Sequence, residues 1–177
     1  MSSQLIEKQV IYDGKKVRLE VHHLEDDEGV RHQREVVIHP GAVVILPFLD
    51  EQTIVMIRNK RYAVNEVLME LPAGTLEKGE AAMNCAGREL LEETGYLARR
   101  IKPLYSFYSS PGILSEKMHS FAAYDLQLKS RALDEGEEIE VETVPLSDAI
   151  AMIRDGQIVD AKTIAVLLMY HQFSREG

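Results

Sequence analysis

A single cysteine, Cys85, no tryptophan and six prolines stand in a chain of 177 residues. One thiol cannot close an intrachain disulfide, so the fold must be held by its core, and this composition suits a reducing compartment. No apolar run approaches the roughly 18 residues that span a bilayer, and the opening Met1-Ser-Ser-Gln-Leu-Ile-Glu is too polar for a secretory leader. A cytoplasmic protein with no membrane partner is therefore expected. Basic residues are scarce beside acidic ones: twenty Lys plus Arg against 29 Asp plus Glu leave a formal charge of −9. Such a chain has no long-range attraction for a nucleic-acid backbone, so no nucleic-acid partner is expected, and an anionic ligand would need local positive charge. His22 and His23 show no zinc-ligand spacing with His32, His39, His119 or His171. Internal repeats and low-complexity segments are also missing.

What is present is a chain 45% apolar and 28% charged, enough for one domain with a real core, or one domain with a small appendage. Residues 1–40 alternate as strands, as in Lys16-Val-Arg-Leu-Glu-Val21, with a turn at Asp26-Asp-Glu-Gly29 and a further strand near Glu35–Ile38. This predicts a hairpin. Ala42–Phe48 and Thr53–Ile57 are β-branched, apolar runs that read as buried strands, and more strands are expected near 101–108, 117–126 and 139–144. A helix over about Glu80–Glu93 should stop at Gly95. Ser147 or Asp148 offers a cap for a helix over about 148–154, and Asp160 caps a last one, Thr163 to His171. Strands and helices mix without a βαβ period, which predicts α+β with a mixed sheet.

The helix over 80–93 carries the chemistry. At about 100° per residue, Glu93 falls about 40° to one side of Glu89 and Glu92 about 60° to the other, so the three carboxylates share a face. Met83, Ala86, Leu90 and Thr94 cluster roughly 100° away as a core-facing stripe, and Arg88 lies one turn before Glu92, where it can neutralise and orient it. Crowded like charges cost stability, and hard cations such as Mg²⁺ or Mn²⁺ prefer oxygen ligands. Spacing alone leaves two readings open, a metal-binding face and a solvated acidic surface. Cys85 lies about 40° from Glu89 without a nucleophile's partners and reads as a small packed residue.

Gly74, five residues, Glu80, seven residues, then Arg88-Glu-Leu-Leu-Glu-Glu-Thr-Gly-Tyr96 resembles the Nudix box, a loop-helix-loop signature of enzymes that hydrolyse nucleoside diphosphates linked to another group. Tyr96 departs slightly, since that place usually carries an aliphatic residue. The resemblance implies the Nudix fold, a mixed sheet sandwiched between helices. It implies metal ligands at Glu89, Glu92 and Glu93, an orienting Arg88 that with Glu92 serves catalysis, and loop turns permitted by Gly74 and Gly95. Mg²⁺, with Mn²⁺ as a substitute, is the implied cofactor.

The surrounding chain is similar to the ADP-ribose pyrophosphatase and nucleoside diphosphate sugar branch of that family, from about Arg34 to Tyr170. Glu70-Leu-Pro-Ala-Gly74 looks like its approach to the box, where the carbonyl at Ala73 is a metal ligand. Arg58-Asn-Lys-Arg61-Tyr62 looks like its substrate segment, with Arg61 on a phosphate. Ser109-Ser-Pro111-Gly112 and Glu116 follow the box at the branch's marker spacing, and Gly156–Thr163 is also similar. Substrate-binding residues are thus expected at Arg34, Arg61, Glu70, Pro111 and Glu116, and Glu137 matches the branch's mobile-loop glutamate that handles the attacking water. Glu135, Glu138 and Glu116 are the other candidates for that base. Tyr62, Tyr105, Phe107 and Tyr108 could stack on a base, although strand aromatics are more often core.

The implied function is Mg²⁺-dependent cleavage of ADP-ribose, or of a related sugar nucleotide such as GDP-mannose, into a nucleoside monophosphate and a sugar phosphate. The resemblance also implies a homodimer, in which residues 1–40 cross to the partner while 41–177 form the Nudix domain. A catalytically silent nucleotide-binding module is the alternative, disfavoured because such modules often lose box glutamates. RNA-directed hydrolysis is disfavoured by the charge.

Overall fold

The computed structural model describes residues 3–131 and 138–173, arranged as two compact units. The first comprises the chain up to Gly41 together with Tyr108–Lys117, and the second comprises Ala42–Phe107 with the chain from Met118 onward.

In the first unit, β1 (Ser3–Asp13), β2 (Arg18–Asp26) and β3 (Arg31–Ile38) form an antiparallel sheet in the order β1-β2-β3. The β2-β3 turn is set by Asp26, whose Oδ1 accepts the backbone N–H of Glu28 at 3.0 Å and of Val30 at 2.9 Å. The expected hairpin is therefore there, but a third strand precedes it. β1 escapes a period-two reading because its pairing register shifts between Leu5 and Glu7 and again between Val10 and Tyr12. Each shift moves the following side chains to the other face and blurs the alternation. The segment around Ile113 docks on β3, where Val37 donates to the Ile113 carbonyl at 2.8 Å and accepts from Ser115 at 2.9 Å.

The second unit holds two sheets. One is mixed, in the order β7-β4-β9-β8, built from β4 (Ala42–Pro47), β7 (Ala73–Thr75), β8 (Tyr96–Tyr108) and β9 (Lys117–Leu128). Here β4 runs parallel to β9 and antiparallel to β7. The other sheet is β10-β5-β6, from β5 (Thr53–Arg61), β6 (Glu66–Glu70) and β10 (Ile139–Pro145). β4 is buried throughout, so its alternate residues serve two cores. Val43 and Ile45 pack with Cys85, Ala86 and Leu90 of α1 (Ala82–Thr94). Ala42, Val44 and Leu46 pack with Leu71, Met56 and the Val166 and Leu167 of α3 (Ala161–Phe173). A mixed sheet between helices is what the sequence predicts, and the fold class is α+β.

Three details differ from expectation. Helix α1 begins at Ala82, because Glu80 is drawn into a turn in which its N–H reaches the Glu77 carbonyl at 3.0 Å. Its buried stripe is Cys85, Ala86, Leu90, Glu93 and Thr94, with Met83 of the first turn exposed, so the helix is rolled towards its glutamates. Finally, α2 (Leu146–Arg154) starts directly after Pro145 with no side-chain cap, while Ser147 and Asp148 bond to each other. The other two helix ends follow expectation. Gly95 is left-handed at φ 77° with its N–H on the Leu91 carbonyl, and Asp160 Oδ2 caps α3 by accepting the Thr163 N–H at 2.9 Å.

Candidate active site

Arg88 is the hub of the box. Its Nε and Nη2 donate to the two oxygens of Glu80 at 3.0 and 2.9 Å, and Nη1 donates to Glu89 and to Glu92, both at 2.9 Å. Glu80 also accepts the Glu77 N–H at 3.0 Å, so it ties the loop to the helix. The Arg88 fork holds the Glu80 carboxyl at about 2, well below the usual carboxylate range, and the surrounding carboxylates raise Arg88 further above its already high value. One guanidinium thus serves three carboxylates.

Glu93 lies one turn after Glu89 and is 3% exposed. Its Oε2 accepts the Ala73 N–H at 2.8 Å, which brings the first residue of β7 against the box helix. Gly74 sits next to it, in the strand and not at a turn, and its lack of a side chain has a different cause from the one expected. A Cβ built on Gly74 would overlap the Glu89 carboxylate. The glycine leaves the space that this carboxylate fills.

Among the described residues no three His, Cys, Asp or Glu side chains form a closed ion cage, and Arg88 lies between Glu89 and Glu92. The donor set nevertheless fits a hard divalent cation: carboxylate oxygens from one face of the helix, beside the peptide of Ala73 and over a glycine-made recess. Replacing Gly74 by Ala should displace the flexible end of Glu89 more easily than the backbone. The expected outcome is roughly a tenfold to hundredfold loss of turnover, as for a misplaced catalytic group, with a melting temperature near wild type. Full activity in the alanine variant, measured beside its melting curve, would contradict the role given to the recess.

Arg61, at the end of β5, forks onto Glu70 of β6, with Nε to Oε1 at 2.8 Å and Nη2 to Oε2 at 2.5 Å. Glu70 is fully buried and also accepts Lys162 Nζ, which in turn bonds Asp160 Oδ1 at 2.9 Å. The buried Thr163 hydroxyl accepts the Leu71 N–H at 2.9 Å, locking the β6 end to the start of α3. Glu70 bonding raises the Arg61 pKa, and the charges of Glu93 and Asp160 add to it, so Arg61 sits within electrostatic reach of the box helix. Nothing local in the sequence points to Lys162. Ninety-two positions separate it from Glu70, and no local pattern links the two.

The second unit therefore brings together Arg61, Glu70, Ala73, Arg88, Glu89, Glu92 and Glu93. Arg34, Pro111 and Glu116 belong to the first unit. There Arg34 is exposed on β3 with Nη1 on the Gln33 carbonyl at 2.8 Å, Pro111 opens an exposed turn, and Glu116 lies 3.5 Å from His39 Nδ1. Glu137 and Glu135 lie outside the described residues. Glu138 accepts the Tyr62 hydroxyl at 3.2 Å. Of the aromatics, Phe107 packs on the core and Tyr105 donates to the Met169 carbonyl at 3.3 Å, whereas Tyr62 is 68% exposed.

Cys85 is fully buried beneath the helix, its thiol 3.6 Å from the Thr75 carbonyl. Burial pushes it up to about 12, with the Glu80 and Glu89 charges adding to the effect. The native protein should resist a thiol-specific disulfide reagent at pH 8 over many minutes and react with one equivalent once unfolded in guanidinium. Rapid labelling of the folded protein would contradict this packing.

A sheet of this topology, with the box helix packed on β4, is the architecture of the NUDIX domain, which residues 38–167 match, and the chain belongs to this family. It is 40% identical over 174 residues to an ADP-ribose pyrophosphatase of Bacillus subtilis, covering 97% of this chain and 94% of that one. It is also 38% identical over 161 residues to a methanol dehydrogenase activator of Bacillus methanolicus, covering 90% and 87%. A GDP-mannose pyrophosphatase of Citrobacter koseri is 39% identical over 160 residues, covering 85% and 83%. The crystal structure of an ADP compounds hydrolase, 24% identical, superposes over 99% of this chain and 95% of its own with a TM-score of 0.87, a likeness of fold.

Proposed function

We propose that the protein is a Mg²⁺-dependent pyrophosphatase of ADP-ribose or a related nucleoside diphosphate sugar, releasing a nucleoside monophosphate and a sugar phosphate. The observation that carries this reading is the intact box: Glu89 and Glu92 harnessed by Arg88, and Glu93 buried against the Ala73 peptide. The named activities of the Bacillus subtilis and Citrobacter koseri relatives point to the same substrate class. A silent module would have no need to keep all three glutamates.

In this reading Glu89, Glu92, Glu93 and the Ala73 carbonyl hold the cation, which when bound neutralises the pyrophosphate and lowers the pKa of a coordinated water. Arg88 orients the carboxylates, and Arg61 gives charge-assisted hydrogen bonds to a phosphate in a chain that otherwise repels anions. Arg34, Pro111 and Glu116 serve substrate binding, and Glu137 takes the proton of the attacking water. A panel of sugar nucleotides, dinucleoside polyphosphates and capped RNA with Mg²⁺ tests the substrate class. Turnover confined to sugar nucleotides supports it, and turnover confined to capped RNA overturns it.

The assembly proposed is a homodimer through residues 1–40. Support comes from β1, an edge strand exposed along its whole length that carries Leu5, Ile6, Val10, Ile11 and Tyr12. Open apolar edges invite pairing with another strand. Sedimentation should give about twice the chain mass at micromolar concentration, and a monomer there would refute the dimer.

A further inference from the structure

Glu70, expected as a substrate contact, is fully buried and wholly engaged by the protein's own cations. With it stand one further anion and two cations, so that the cluster is Glu70, Asp160, Arg61 and Lys162. Their side-chain exposures run 0%, 15%, 39% and 16%, which makes Arg61 the outward member of a neutral set with its anions inside. Burial alone would raise the Asp160 carboxyl, yet Lys162 beside it and the Thr163 bonds hold it below the usual range, while Glu70 is bonded to Arg61 and Lys162. The field that Arg61 offers an incoming phosphate depends on this balance, because charges a few ångströms apart in a partly buried site are weakly screened.

We propose that Glu70 is a positioning residue that aims Arg61 without touching substrate, and that Lys162 cancels the negative charge behind Arg61 so that its guanidinium attracts a pyrophosphate. This rests on the proposed hydrolase reading only in taking the anion to be a pyrophosphate. Without Lys162, Glu70 and Asp160 would face Arg61 alone, and the net charge of the cluster would fall from zero to minus one. Removing the Asp160 charge as well restores neutrality, and Asn at 160 keeps a side-chain oxygen for the Thr163 N–H, so the α3 cap survives.

The test is calorimetric binding of inorganic pyrophosphate to the whole chain, with melting curves confirming that every variant is folded. Lys162→Met should weaken binding at least about tenfold, Lys162→Arg should stay within about threefold of wild type, and Lys162→Met with Asp160→Asn should return to within about threefold. On a sugar nucleotide the same pattern should appear in KM, with kcat little changed. Unaltered binding in Lys162→Met overturns the proposal, as does wild-type protein that binds no pyrophosphate. A double variant as weak as the single one also overturns it, since Lys162 would then contact the ligand itself. Failure of the hydrolase reading looks different: the calorimetric pattern holds while wild-type protein hydrolyses no sugar nucleotide.

Discussion

Glu93→Gln is expected to lower turnover by about a thousandfold at saturating Mg²⁺ while the protein stays folded. The substitution removes a charge without changing shape, and an amide oxygen can still accept the Ala73 N–H that Glu93 now holds at 2.8 Å. The buried niche therefore keeps its hydrogen bond, and melting should move by only a few degrees. What is lost is one anionic ligand of the proposed cation, in a site where a single pre-placed electrostatic group is worth roughly 10²–10³ in rate. Mg²⁺ binding followed by calorimetry should weaken in parallel, which separates a ligand from a merely structural carboxylate. Near wild-type turnover in this variant would remove Glu93 from the metal set.

Glu137→Gln is expected to reduce kcat by roughly 10²–10⁴ with KM and Mg²⁺ dependence nearly unchanged, the span that loss of a general base covers. The box carboxylates are poorly suited to that task. Glu80, Glu89 and Glu92 are each bonded to Arg88, and Glu93 is packed away against a backbone amide. A base for the water therefore has to come from elsewhere in the chain, and Glu137 is the position that the family resemblance supplies. Glu135→Gln and Glu138→Gln should be mild by comparison, and Glu138 already accepts the Tyr62 hydroxyl. A large drop for Glu138→Gln with none for Glu137→Gln would shift the base by one residue. If all three are mild, Glu116 is the next to test.

The parts of this molecule that were legible from sequence are those in which local pattern and long-range packing agree. β4 and β5 could be read because they are buried on both faces and carry continuous apolar runs. The end of α1 could be read because Gly95 needs a left-handed backbone, and the harness on Glu92 because Arg88 lies one turn away. β1 was hidden by its two register shifts. The roll of α1, which buries Glu93 and exposes Met83, was hidden because an amphipathicity argument puts carboxylates outside, and the Ala73 amide that permits the burial comes from a different strand. The reason for Gly74 lies in Glu89, fifteen positions on, and the cluster of Glu70, Lys162 and Asp160 joins β6 to α3. Contacts of that kind follow from tertiary structure and leave no local trace.

The measurement that bears most directly on the proposed activity is product analysis after incubation of ADP-ribose and of GDP-mannose in ¹⁸O-labelled water, with Mg²⁺ and with a chelator in its place. Mass spectrometry should find a nucleoside monophosphate and a sugar phosphate in equal amounts from at least one substrate. One ¹⁸O should enter a single phosphate, and the chelator should suppress the reaction. Unchanged substrates with Mg²⁺ present, or cleavage at the glycosidic bond with no label in phosphate, would contradict a metal-dependent attack on the pyrophosphate.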